Sequence, residues 1–172
     1  YRMNGKYSSK QIQKSLSSFS AVQMDGSNIY QIYYYDIVIK DVSAFAKINK
    51  FLFMPLYDWA GKYRTGNFYK GNTAFLDCNR FNYAEEDINH VLALQKEKDE
   101  LIAEDYAQLM DLLNYMHPFR EGNGRSTRLF LQCYAANHNQ CIVYPLSNDD
   151  LIQALTDANV HEIARLIKAE KI

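Results

Sequence analysis

Twelve consecutive residues carry most of the chemistry this chain can offer: His117-Pro118-Phe119-Arg120-Glu121-Gly122-Asn123-Gly124-Arg125-Ser126-Thr127-Arg128. Histidine titrates nearest neutrality, which suits His117 to general-base work. Pro118 disfavours helical geometry at the residue before it, so the preceding helix should stop at His117 and present the imidazole at a loop mouth. Gly122 and Gly124 flank Asn123 and allow a backbone curl that points several N–H groups into one concavity. The start of the next helix adds positive potential, and together they make an anion nest. Arg125 and Arg128, three residues apart, share a face of that first turn. Cations there oppose the helix dipole unless an anion sits between them. Glu121 offers a hard oxygen ligand of the kind Mg²⁺ uses beside a polyphosphate.

Taken singly, these features have plain structural explanations. A histidine at a helix end is more often a cap, Gly-Asn-Gly a turn, and a pair of arginines solvated or matched with carboxylates. Phe119 is read as a structural anchor, an apolar residue that pins the loop into the core. The conjunction within twelve residues is what points to a phosphoryl- or nucleotidyl-transfer site.

The elements around this loop read as mainly helical. Five of the seven glycines (Gly61, Gly66, Gly71, Gly122 and Gly124) lie in two short stretches, leaving long segments free of breakers. Asp41 to Met54 has amphipathic spacing through Val42, Phe45, Ile48, Phe51 and Leu52, with Asp41 as N-cap and Pro55 as terminator. Phe81 to Lys98, Leu101 to Met116 and Asn123 to His138 read as three further helices, and Asn148 to Lys171 as one or two short ones. Lys62 to Leu76, with Gly66, Asn67, Gly71 and Asn72, reads as an exposed loop or hairpin. Ile29 to Ile39 is rich in β-branched and aromatic residues and fits either a strand or a buried helix. Residues 1–28 form a polar N-terminal segment and residues 29–172 a single domain, mainly α with one small β element.

Composition narrows the function further. With 172 residues, 48% hydrophobic and 23% charged, the chain has the make-up of one globular domain. Its 19 basic and 20 acidic residues leave a net charge of −1, without the basic excess of a sequence-independent nucleic-acid binder. Cys78, Cys133 and Cys141 form no C-x-x-C pair, which favours a reducing compartment. The most apolar run, Phe51 to Tyr57, contains Pro55 and is far too short to span a membrane. A soluble, cytoplasmic domain is the expectation, with oligomeric state left open.

The twelve-residue stretch matches H-x-F-x-[DE]-G-N-G-R-x-x-R at every specified position, and in this it resembles the Fic domains. Tyr57-Asp58-Trp59-Ala60-Gly61-Lys62-Tyr63-Arg64 is similar to the family's Y-x-W-A-G-x-x-R stretch, and Lys70-Gly71-Asn72-Thr73-Ala74-Phe75 to its flap. The likeness runs from about Asp41 to Tyr144. It implies a Fic fold, a helical bundle with a β-hairpin flap over the active site, and transfer of AMP from ATP to a Ser, Thr or Tyr hydroxyl of a target protein. By that resemblance His117 deprotonates the hydroxyl and Glu121 holds Mg²⁺ at the α- and β-phosphates. Gly122, Asn123 and Gly124 cradle the phosphates, with Asn123 at the α-phosphate, while Arg125 and Arg128 grip the rest. The flap residues Lys70, Gly71, Asn72 and Thr73 would dock the target by strand addition. Relatives that move UMP or phosphocholine, or that remove AMP, share the motif. An inactive protein-binding module using the flap is the alternative from another class.

One familiar restraint is missing. Many Fic proteins carry [ST]-x-x-x-E-[GN], whose Glu pairs with the second motif arginine. No Ser or Thr here is followed by Glu four residues on. The departure implies either restraint by a separate inhibitor protein, as in toxin–antitoxin pairs of this family, or an element lost from the ends, and leaves Arg128 without an obvious partner in the chain. Delivery into a host cell as an effector fits the same family.

Overall fold

The computed structural model describes residues 37–172. The readings on residues 1–28, on Tyr30 to Tyr35 and on most of Ile29 to Ile39 lie outside them. Six α-helices of the described residues build the bundle: α1 (Ser43–Phe53), α2 (Phe81–Lys96), α3 (Ala103–Met116), α4 (Asn123–Asn137), α5 (Asp149–Thr156) and α6 (Val160–Leu166). Two short antiparallel pairs complete it: β1 (Tyr69–Lys70) with β2 (Thr73–Ala74), and β3 (Gln140–Val143) with β4 (Lys168–Lys171).

Helix α3 is the centre. Tyr106, Ala107, Leu109, Leu113 and Met116 have no exposed surface, and α3 packs against α2, α4 and α6. Each such leucine contributes roughly 1.5–3 kcal/mol by leaving water. Helix α1 crosses α4, where Phe45 stands edge-on to Phe130 and tilted against Phe119. The loop between α3 and α4 is therefore gripped by the core on two sides.

Three expectations need correction. Val42, not Asp41, occupies the N-cap of α1, although the Asp41 carboxylate still accepts from Ser43 N–H at 2.8 Å. Helix α3 starts at Ala103 rather than Leu101, because Asp105 Oδ2 turns back to accept from Ile102 N–H at 3.0 Å. The expected single β element is two: Lys168–Lys171 pairs with Gln140–Val143, in register from Gln140↔Lys171 to Val143↔Lys168. Nothing in Lys-Ala-Glu-Lys favours a strand. The pairing comes from the partner edge, a tertiary effect on a sequence of low β-propensity.

Gly71 and Asn72 form the two-residue turn of the first hairpin. Gly71 has φ 59°, the left-handed geometry such tight turns need. Lys70, Gly71, Asn72 and Thr73 are all exposed at its tip. Among the described residues, no helix is long and apolar enough to cross a membrane.

Candidate active site

His117 terminates α3 in the left-handed region, at φ 43° and ψ 54°. That conformation is uncommon for a residue with a Cβ, and the surrounding hydrogen bonds hold it. The His117 carbonyl accepts from Arg64 Nε at 2.8 Å, and Arg64 N–H donates to Pro118 O at 2.7 Å. The imidazole Nδ1 sits 3.3 Å from the Asn114 carbonyl. A carbonyl only accepts, so Nδ1 carries the proton and Nε2 keeps its lone pair. One face of the ring lies against Phe75, with centroids 3.7 Å apart and planes 11° from parallel. Burial pushes the imidazole down to about 4, against a weaker upward pull from the Asn114 hydrogen bond; Arg64 and Lys70 add to the depression, and Glu121 opposes it. At neutral pH His117 is therefore an uncharged acceptor.

Helix α4 begins five residues after Pro118, with Gly122 as N-cap at φ 80°. A Cβ there would fall 2.2 Å from two carbons of the Phe53 ring, so both space and backbone require glycine. Ser126 N–H is the first to find a helical acceptor, Gly122 O at 2.9 Å. Among the described residues, the N–H groups of Asn123, Gly124 and Arg125 have no such acceptor and form the open, electropositive end of the helix. Gly124 is exposed, and a Cβ at that position would meet nothing within 4 Å.

Asn123 is buried and gives both side-chain polar atoms to one residue. Its Oδ1 accepts from Phe119 N–H at 2.9 Å and its Nδ2 donates to Phe119 O at 2.7 Å. Its backbone N–H is what it can offer a phosphate. Phe119 is fully buried, its ring between Phe45 and Tyr63.

The charged groups ring this end. Arg125 lies over Phe53, 4.6 Å from the centroid, and its Nη2 meets Glu121 Oε1 at 2.9 Å. Gly122 N–H donates to the same oxygen at 3.0 Å. Glu121 Oε2 takes no hydrogen bond among the described residues, and the side chain is 41% exposed. A divalent cation fits this donor set: one carboxylate oxygen is free beside the open N–H end of α4, and Mg²⁺ typically joins one or two carboxylates to phosphate oxygens and water. No group of three or more ligating side chains exists among the described residues, so the protein alone would not cage a metal.

Arg128 does have partners in the chain, contrary to the sequence reading. Its Nη2 donates to Asn148 Oδ1 at 2.7 Å, and its guanidinium lies 5.0 Å from the centre of the Tyr144 ring.

Two positioning residues escaped the sequence reading. Asn49, wholly buried on α1, donates through Nδ2 to Glu121 O (3.3 Å) and Ser126 Oγ (3.0 Å) and accepts from Gly61 N–H (2.8 Å). Its signal was an amide four residues after Phe45, within an apolar stripe. Arg64, 3% exposed, also donates to the carbonyls of Gly66, Leu76 and Met116 and lies over the Phe81 ring. No carboxylate pairs with it among the described residues; the carbonyls of Met116 and His117 at the C-terminus of α3, with those of Gly66 and Leu76 from the hairpin segment, hold its charge. The sequence shows Arg64 only as the last letter of Y-x-W-A-G-x-x-R.

Comparison with known proteins bears on family and fold. The chain is 37% identical over 95 residues to the protein adenylyltransferase VbhT of Bartonella schoenbuchensis, a match covering 53% of this chain and 20% of that protein. It is 32% identical over 92 residues to the probable protein adenylyltransferase Fic of Escherichia coli, covering 49% and 44% respectively. The chain thus spans less than half the length of either relative. Among solved structures, the N-terminal Fic domain of a Bartonella effector protein superposes with a TM-score of 0.70 at 17% identity, covering 91% of this chain and 76% of that one. BepC of Bartonella tribocorum, crystallised with AMPPNP, superposes at 0.65 with 16% identity and 76% of each chain. At these identities the structural likeness is one of fold. The sequence model of the Fic/DOC family matches residues 40–135, more than half of the chain, and the chain belongs to that family.

Proposed function

We propose that this domain transfers AMP from ATP to a hydroxyl group of a target protein. The observation that carries the reading is the joint presentation, by one braced loop, of an uncharged imidazole with a free Nε2 and the open amide end of α4. The relatives' names, protein adenylyltransferase, support the same reaction.

The chain's own groups divide the work. The N–H groups at the start of α4 and the guanidiniums of Arg125 and Arg128 hold the triphosphate, orienting the α-phosphorus and spreading the developing negative charge. Glu121 would hold Mg²⁺ through its free carboxylate oxygen, and that ion when bound neutralises phosphate charge. His117 Nε2 takes the proton of the target hydroxyl as its oxygen bonds to the α-phosphorus. The bond from that phosphorus to the bridging oxygen breaks and pyrophosphate leaves. Uncharged at neutral pH, the imidazole is free to accept that proton.

The hairpin supplies the acceptor side. Its exposed tip, Lys70 to Thr73, presents backbone groups to which an extended target segment can add as a strand. We infer that restraint of Arg128 by an acidic group comes from a separate inhibitor protein; among the described residues its hydrogen-bond partner is a neutral amide.

The test is incubation with a cell lysate, Mg²⁺ and ATP labelled at either the α- or the γ-phosphate. Protein labelled only from the α-position, and lost in His117→Asn, is the expected result. Label arriving only from the γ-position would make the enzyme a kinase and overturn the reading.

A further inference from the structure

The hairpin and the imidazole are joined through one side chain. Phe75 follows β2 directly, and its ring lies flat on His117 at 3.7 Å with an 11° interplanar angle. The two rings are in face-to-face contact, so the Phe75 ring limits how far the imidazole can turn about its own bonds. The Phe75 backbone is fastened on both sides. Its own N–H donates to Phe68 O at 3.0 Å, within the hairpin, and the next N–H, of Leu76, donates to Tyr115 O at 3.1 Å, within α3. The imidazole is held in its plane by the Asn114 carbonyl and across its face by Phe75.

We propose that Phe75 is a positioning residue for His117, making the exposed hairpin and the general base a single mechanical unit. A segment docking on the hairpin edge then reaches the base through the Ala74–Phe75–Leu76 backbone and the stacked rings. The inference rests on the reading of His117 as base, and it adds a route by which the acceptor protein sets the orientation of that base. Without the stack the ring is free to turn about its remaining in-plane contact, and small misplacements of a reacting group are costly in rate. The same ring keeps water from one imidazole face. The charged groups that act on it are Arg64 and Lys70 on the hairpin side and Glu121 across the loop, and a Phe75 substitution alters none of these side chains.

The experiment compares wild type, Phe75→Leu and Phe75→Tyr. Leucine keeps apolar volume at this half-buried position without a planar face, and tyrosine keeps the face. Label incorporation from α-labelled ATP is followed at saturating and limiting ATP, and the His117 ring signals are followed by NMR against pH. We expect Phe75→Leu to lower the saturating rate about tenfold with the half-saturating ATP concentration unchanged, and Phe75→Tyr to restore it. In Phe75→Leu the His117 ring protons should lose their upfield ring-current shift and the titration midpoint should move up toward the ordinary histidine value. A Phe75→Leu variant that transfers like wild type, or one whose His117 signals and midpoint do not move, overturns the proposal. Should wild type transfer no AMP at all, the proposed function falls, while the ring-current and titration readouts still decide the role of Phe75.

Discussion

Arg128 on α4 donates to Asn148 Oδ1 across a gap of 20 residues, at 2.7 Å. The partner is neutral, so the guanidinium is oriented without a carboxylate beside it. Charge-assisted bonds to such a group are the stronger kind, and a carboxylate at the same place would compete with the ligand. Replacing Asn148 by Asp should therefore raise the half-saturating ATP concentration a few-fold, an effect of up to ~1 kcal/mol for so exposed a pair. Asn148→Ala should change it far less. Isothermal titration with a non-hydrolysable ATP analogue measures both.

The depressed His117 pKa gives a pH signature with a definite sign. The folded imidazole titrates near 4 and the unfolded one near its ordinary 6.5. Between those values the unfolded chain binds more protons, so stability falls as pH drops from about 6.5 to about 4. His138 is also depressed by burial and acts in the same direction, so the informative quantity is a difference. His117→Asn, whose side chain tolerates the left-handed backbone, should lose less stability than wild type across that window. Urea melts at several pH values check this. The transfer rate should likewise hold steady through neutrality and fall only as pH approaches 4.

The two glycines of the nest should part company on substitution. Gly122→Ala places a methyl 2.2 Å from the Phe53 ring at φ 80°, and should cost about 2–4 kcal/mol of stability together with activity. Gly124→Ala meets open space at an ordinary helical position and should leave stability equal or raised by up to about 1 kcal/mol. Its methyl would nonetheless stand where a phosphate approaches the amides, so ATP binding should weaken. Thermal melts with and without ATP separate the two effects.

Arg64 is the most heavily used side chain of the loop. Truncating it to Met leaves the carbonyls of Gly66, Leu76, Met116 and His117 without their donor, at ~1–3 kcal/mol for each group that water cannot reach. The variant should unfold at markedly lower denaturant concentration. Arg64→Lys, with no planar fork, should recover only part of the loss.

The motif was legible because its residues are local: His117, the glycines, the arginines and Glu121 all lie within twelve residues, and their types stand out without a fold. The helices were legible for the same reason, since the apolar spacing of α1 and α3 repeats every three to four positions. What braces the motif was not. Asn49 reaches Glu121 across 72 residues, Arg64 reaches His117 across 53, and Asn148 reaches Arg128 across 20, and no spacing rule announces such partners. Strand β4 was hidden for a related cause: Lys168-Ala-Glu-Lys takes its conformation from Gln140–Val143 rather than from its own residues.

The loop's shape rests on amides and carbonyls. Asn123 closes on the Phe119 backbone, Asn49 on Glu121 O, and Arg64 on main-chain oxygens. Mobile ions screen separated surface charges within about 8 Å at physiological ionic strength but scarcely touch buried dipoles. Brine should accordingly loosen the hold of Arg125 and Arg128 on a polyanion while the cradle that receives it keeps its form, so the enzyme would answer to salinity in affinity and not in architecture.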